Sequence, residues 1–191
     1  MREVLKKAVD PSDEVVESVK GGESIDIVND EDDEEKLARE REFKKFTAAI
    51  GDEGDPTMLI LRAHLFSESL LERYITFKFP RGDKVIENAA LSFHQKLIIV
   101  DAFDELGDHI ISSLRNLNKL RNQCAHQLDK RISDGDVLKV GSPLGTMFTR
   151  LRREANFDEI ILLRSIINYI CGYLTGHCHC YENSTSQKSG K

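Results

Sequence analysis

From Asp30 onward, apolar residues recur at three- and four-residue spacing, the period of an amphipathic helix. Asp30 to Ile50 carries Leu37, Phe43, Phe46 and Ile50 in a narrow stripe. Acid precedes base by four residues at Asp32/Lys36, Glu35/Arg39 and Glu40/Lys44, a pairing worth about 0.3 kcal/mol each on a helix. Gly51, Gly54 and Pro56 break this segment, and Asp55-Pro56 opens the next one as N-cap and first helical residue. Leu59, Ala63, Phe66, Leu70, Tyr74 and Phe77 line its apolar side, and Phe79 to Asp83 reads as a turn. A third helix is predicted from Lys84 to Leu106, with Leu91, Leu97, Val100, Phe103 and Leu106 inward. Gly107 stops it, and Asp108 caps a fourth helix that carries Ile110, Ile111, Leu114, Leu117, Leu120 and Cys124 and runs past His126. Asp129 to Gly145 is polar and rich in turn residues and predicts a long loop. A short helix is expected over Thr146 to Glu154. The last helix is expected from Phe157 to Thr175, capped by Asn156, apolar on most sides and ended by Gly176.

The fold class is therefore all-α. Ahead of Asp30 the pattern is weak: a short helix from Ser12 to Gly21-Gly22, then a brief extended stretch or linker at Ile25 to Val28. Three regions follow: an acidic N-terminal extension (1–54), a helical bundle (55–180) and a polar, disordered tail (181–191). The extension is expected to be separable, with the junction between Gly51 and Pro56.

Charge sharpens this division. The chain has 191 residues and a formal net charge of −6. Through Pro56 there are eighteen Asp/Glu against nine Lys/Arg, and from Thr57 onward fifteen against eighteen. An acidic total argues against non-specific attraction to nucleic acid, yet the second part alone is slightly basic and can meet a polyanion. No apolar run approaches the roughly 18 residues needed to span a bilayer, and the first residues do not read as a secretory signal. The expectation is a cytoplasmic protein without membrane contact. Four cysteines, Cys124, Cys171, Cys178 and Cys180, make no disulfide framework and are expected as free thiols.

The segment that carries chemistry is Leu117-Asn118-Lys119-Leu120-Arg121-Asn122-Gln123-Cys124-Ala125-His126. At about 100° per residue, Asn122 and His126 lie one turn apart on nearly the same face, and the long side chain of Arg121 can swing toward them. Histidine titrates near neutrality and can take and return a proton. Arginine is a permanent bidentate donor suited to phosphate oxygens. Asparagine can orient either one. These types together suit metal-free transesterification of RNA, with Arg121 stabilising the charge that builds on a phosphorane. Structural roles compete: a histidine at a helix end is often only a satisfied polar residue, and an Arg-Asn pair can tie a helix to a loop.

This stretch, together with Leu91-Ser92-Phe93-His94-Gln95-Lys96-Leu97 and the helix Arg62-Ala63-His64-Leu65-Phe66-Ser67-Glu68-Ser69-Leu70-Leu71-Glu72, resembles the HEPN superfamily (higher eukaryotes and prokaryotes nucleotide-binding). The likeness covers Thr57 to Leu128, and extends to Thr175 by helix pattern alone. It implies an up-and-down bundle of four or five helices, often a homodimer, in which two Arg-x₄₋₆-His motifs face each other and form a composite ribonuclease site. It implies catalytic roles for Arg121 and His126, support from Asn122, no cofactor, and an RNA substrate. Members act as toxins with antitoxin partners, in phage defence and in RNA processing; others keep the helices as non-catalytic regulators or scaffolds. Members silenced by a nucleotidyltransferase carry Tyr two residues after the histidine, where this chain has Leu128.

Further expectations concern the periphery. Arg115 and the cluster Arg150, Arg152 and Arg153 are the first choices for RNA-backbone contacts. His177-Cys178-His179-Cys180 alternates metal-ligating residues, but immediate neighbours cannot readily converge on one ion, and no metal site is expected. Ile160, Ile161, Leu163, Ile166, Ile167 and Ile170 give the last helix more apolar surface than one neighbour would cover, a second argument for a homodimer.

Overall fold

The computed structural model describes residues 30–51 and 54–186. Among them are eight α-helices, a 3-10 turn and no strand: α1 Asp30–Ile50, α2 Pro56–Lys78, α3 Gly82–Ala89, α4 Phe93–Asp101, α5 Asp108–His126, α6 Asp134–Gly141, the 3-10 turn Ser142–Leu144, α7 Thr146–Glu154 and α8 Glu159–Ser186. The helix and extended stretch expected before Asp30 lie outside the described residues. No helix among those described is long and apolar enough to cross a membrane.

The bundle is organised around α2. Its start is fixed locally: the Asp55 carboxylate accepts the Thr57 amide at 2.9 Å, and Pro56 needs no amide partner in the first turn. Leu59, Ile60, Ala63, Leu70, Leu71, Tyr74 and Ile75 are buried along it. The long α8 packs against this face through Leu163, Ile166, Ile167, Ile170, Cys171 and Leu174, all buried. Helices α3, α4 and α5 contact α2 from its other sides.

α1 is joined to this core at its C-terminal end. Ile50 is only 2% exposed, Phe46 meets Phe66 edge-on at 5.2 Å, and Arg73 holds Glu42 at 2.9 Å. Burial alone would raise the Glu42 carboxyl, but hydrogen bonds from Lys45 and Arg73 and their charges outweigh it and hold the group below its ordinary value. Arg164 of α8 donates to the carbonyl of Gly51 at 2.8 Å. The acidic extension is thus anchored by its last turns.

Several expectations are corrected. The helix predicted over Lys84 to Leu106 is two helices. Ala90 adopts the left-handed conformation (φ 44°), and Ser92 opens α4 with a capping box closed by Gln95. Phe103 and Leu106 then pack from a loop, where Glu105 accepts from Tyr74 and Lys78 of α2. The loop predicted over Asp129 to Gly145 contains α6, begun by the capping box Ser133/Asp136 and buried through Val137 and Val140. α5 begins after Gly107, with Asp108 already inside it, and ends at His126. Finally, Asp158, not Asn156, receives the first amides of α8: its carboxylate accepts from Ile160 and Ile161 at 3.0 and 2.9 Å. Asn156 and Phe157 both have positive φ. Gly176 does not stop α8, which continues to Ser186. Of the six apolar residues that argued for a second subunit on this helix, four are covered within the chain and only Ile160 and Ile161 remain exposed.

Candidate functional site

α5 crosses between α2 on one flank and α6 on the other, and its sequence divides accordingly. Ile110, Ile111, Leu114, Leu117 and Leu120 are buried. On an ideal helix, positions 115, 119, 122 and 126 share the opposite, outer crest. Asn118 and Arg121 lie on the α2 side of that crest, Asn116 and Gln123 on the α6 side.

Arg121 and Asn122 are brought together: the Arg121 guanidinium donates to Asn122 Oδ1 at 3.1 Å, and both side chains are half-buried. This tie restricts a side chain that would otherwise sample many rotamers. His126 occupies the final turn of α5, one turn beyond Asn122, and is exposed. It makes no side-chain hydrogen bond or ion pair with another described residue. Leu128, two residues further, is fully exposed.

A buried polar layer lies beneath Arg121. His64 of α2 is 2% exposed and stacks on Phe93 at 4.2 Å. Its Nε2 meets Asn118 Oδ1 at 3.0 Å. With that oxygen accepting, the proton sits on Nε2 and Nδ1 is a buried acceptor without a donor. Glu68 Oε2 lies 4.0 Å from this Nδ1. Burial depresses the basicity of His64 most. The hydrogen bond to Asn118 and the charge of Glu68 push it up, and the charges of Arg121 and Lys96 push it down, so it stays below its ordinary value. Lys96 of α4, 6% exposed, bridges Glu68 at 2.7 Å and Glu72 at 2.5 Å. Burial alone would lower the ammonium, but its hydrogen bonds to the two glutamates and their charges raise it.

His64 was not singled out from the sequence as a site residue. Its signal was present: Ile60, His64, Ser67 and Leu71 follow one another at spacings of four, three and four, so His64 falls on an inward face of the first core helix.

The expected phosphate-contact arginines are divided between α5 and α7. Arg115 is paired with Asp101 of α4 at 2.6 Å. Arg150, Arg152 and Arg153 sit on α7, which packs against α8 and the 3-10 turn. Arg150 lies 3.6 Å from Glu154, and Arg152 lies over the ring of Phe157 at 5.5 Å. The structure does not gather these four around Arg121.

The cysteine-histidine run is occupied by packing. Cys178 is buried and donates to the Leu70 carbonyl at 3.5 Å, and the His177 ring lies against Tyr173. Burial pushes the Cys171 thiol up to about 12, with Ser67 beside it. Cys124, Cys171 and Cys178 are free thiols. Among the described residues no group of three or more His, Cys, Asp or Glu is placed to hold a metal ion.

No family model matches the sequence, and neither a curated protein nor a solved structure does. The assignment of this site therefore rests on its own geometry and chemistry.

Proposed function

We propose that this chain is a metal-independent endoribonuclease of the HEPN type, acting as a homodimer with two Arg121/Asn122/His126 sets facing one composite site. The observation that carries the reading is the pairing at the end of α5: a guanidinium held by Asn122, one helical turn from an exposed imidazole. In the reaction the ribose O2′ bonds to its own phosphorus and the bond from phosphorus to the next O5′ breaks. One His126 takes the 2′ proton, and the second His126 of the dimer returns a proton to the leaving O5′. Arg121 neutralises the charge on the pentacoordinate phosphorus, where a fixed donor acts most strongly. The dimer is supported by exposed apolar residues on α2 and just after α5. Met58 and Leu65, seven apart on one face of α2, are exposed, as is Leu128.

Arg150, Arg152 and Arg153 are assigned no part in the chemistry; a role for them is limited to the RNA backbone. A toxin or defence function, held in check by an antitoxin or regulatory protein, fits a nuclease of this type.

The second reading is a non-catalytic helical scaffold. It is favoured by one observation: no described residue orients His126. The deciding experiment incubates purified protein with single-stranded and hairpin RNA in the presence of chelator. Cleavage leaving 2′,3′-cyclic phosphate and 5′-hydroxyl ends supports the nuclease. A broad RNA panel left intact by the folded wild type transfers the assignment to the scaffold.

A further inference from the structure

On the α6 side of the α5 crest lies an open cavity of about 200 Å³, lined by Asn116, Lys119, Leu120, Gln123, Asp136 and Lys139. Its charge is unusual for an acidic chain. Neither Lys119 nor Lys139 has an ion-pair partner among the described residues, and both are exposed. The one carboxylate in the lining is already satisfied. Asp136 is 6% exposed and accepts from Lys130 Nζ at 2.6 Å and from the Ser133 hydroxyl and amide at 2.8 and 3.1 Å. Burial alone would raise its carboxyl, but these hydrogen bonds and the Lys130 charge hold it below its ordinary value. It leaves the two lysines uncompensated. The wall is fixed by a bond between elements: Asn116 Nδ2 donates to the Lys139 carbonyl at 2.7 Å, locking α5 to the last turn of α6. Gln123 makes no side-chain bond to a described residue and offers both amide donors and its oxygen.

The cavity adjoins the motif. Gln123 is three residues and Lys119 seven residues before His126, so both lie on or beside the crest that ends in the imidazole. The volume is below the roughly 300 Å³ of pockets that enclose a small-molecule ligand. It suits one phosphodiester with part of its sugar or base left outside.

We infer that this cavity is an anion pocket that holds a backbone phosphate of single-stranded RNA, next along the strand from the phosphate at Arg121 and His126. Lys119 and Lys139 supply the charge. Asn116 and Gln123 supply hydrogen bonds to the adjoining sugar or base edge, the mode by which unpaired nucleotides are read. The inference rests on the ribonuclease reading for the identity of the anion.

The test separates the two. A labelled single-stranded oligonucleotide with 2′-O-methyl riboses, which cannot be cut, is titrated by fluorescence anisotropy at several salt concentrations. Wild type is compared with Lys119→Gln/Lys139→Gln and with Gln123→Ala; inorganic phosphate is titrated separately by calorimetry. Both lysines are exposed, and circular dichroism verifies folding. The double variant is expected to lose about tenfold in affinity, with the salt slope reduced by about 0.7 for the one lost single-strand phosphate contact. Gln123→Ala is expected to weaken binding without changing that slope. Unchanged affinity and slope in the double variant overturn the pocket even if the wild type cuts RNA. Weakened binding by the double variant, with a wild type that binds but never cuts cleavable RNA, upholds the pocket and removes the nuclease. Binding of inorganic phosphate with no binding of RNA overturns the assignment of the anion to RNA, and binding of neither overturns the pocket outright.

Discussion

His64 of α2 and Asn118 of α5 are joined by a 3.0 Å hydrogen bond across 54 residues of sequence. The bond fixes the flank of α5 from which Arg121 projects, and it leaves the other ring nitrogen buried without a donor. An unmatched buried acceptor costs about 1–3 kcal/mol, so the layer holding it must be stabilised by its surroundings, here Phe93 stacking and the Lys96 bridge.

Stability should therefore depend on pH near neutrality. The folded-state basicity of His64 lies below its ordinary value of 6.5. As pH falls, the unfolded chain takes the proton first. The contribution is fully present above about 6.5 and is lost as pH falls from there toward the lower folded value. Arg121 and Lys96 face the ring and oppose its protonation; Glu68 favours it. Urea midpoints measured between pH 8 and 5 should decline for the wild type and decline less for His64→Gln; His177, which burial also holds below its ordinary value, contributes the remainder. An equal decline in the variant would assign the dependence to another group. Glu42 and Asp136, both held below their ordinary values, act only at more acidic pH.

Substitutions in the motif should grade by role. Arg121→Ala should lower the single-turnover cleavage rate by about 10²-fold or more, the usual loss when a transition-state donor is removed. His126→Ala should abolish cleavage. Asn122→Ala removes only the tether of Arg121 and should cost about tenfold, whereas Asn122→Asp keeps an acceptor for the guanidinium and should cost less. Circular dichroism should match wild type in all four. Unfolding of His126→Ala would mark that histidine as structural, which its exposure argues against.

Lys96→Met should destabilise the bundle by about 2 kcal/mol, because it leaves Glu68 and Glu72 beside a buried layer without their shared cation. Adding Glu68→Gln and Glu72→Gln should restore part of the loss. A single variant with an unchanged denaturation midpoint would show that solvent, not Lys96, compensates the two carboxylates.

Glycine replacements should have opposite signs in different helices. At Gly141 an added Cβ would lie 2.4 Å from the Phe148 ring and 2.7 Å from Ile166 Cδ1; at Gly82 it would meet the Ile75 carbonyl at 2.5 Å. Alanine at either should lower stability by about 1–3 kcal/mol. Gly172 and Gly176 lie inside α8 with nothing within 4 Å of the added atom. Alanine there should raise stability by about 0.5–1 kcal/mol each, the helix-propensity difference. Thermal melts of the four variants decide it.

What was legible in the sequence was set by neighbours along the chain. Asp55 and Pro56 announce the start of α2, and the stripe from Ile110 to Leu120 announces the buried side of α5. The division of α3 from α4 was also written locally, as Ser92 and Gln95, but a helical period that continued through Leu91 and Leu97 concealed it. Ser133 and Asp136 encode the start of α6 in the same way, inside a segment whose glycines and aspartates suggested a loop. Gly176 misled because glycine ends a helix only where the backbone turns left-handed, and α8 gains enough packing below it to continue. The Arg121–Asn122 contact was anticipated as one of two options for the asparagine. The tie from His64 to Asn118, the pairing of Arg115 with Asp101 and the walls of the α5–α6 cavity depend on which helices become neighbours, and spacing within one helix carries no such information.

The central position of α2 has a consequence for how this molecule can be regulated. α2 touches α1, α3, α4, α5 and α8, so its amides can meet solvent only when most of the bundle opens at once. In hydrogen–deuterium exchange its middle turns should be the slowest in the chain, with α5 close behind where His64 holds it. A candidate site mounted on such a slow-exchanging pair has little local unfolding to exploit as a switch. Control would have to act from outside, by bringing two rigid copies together or holding them apart.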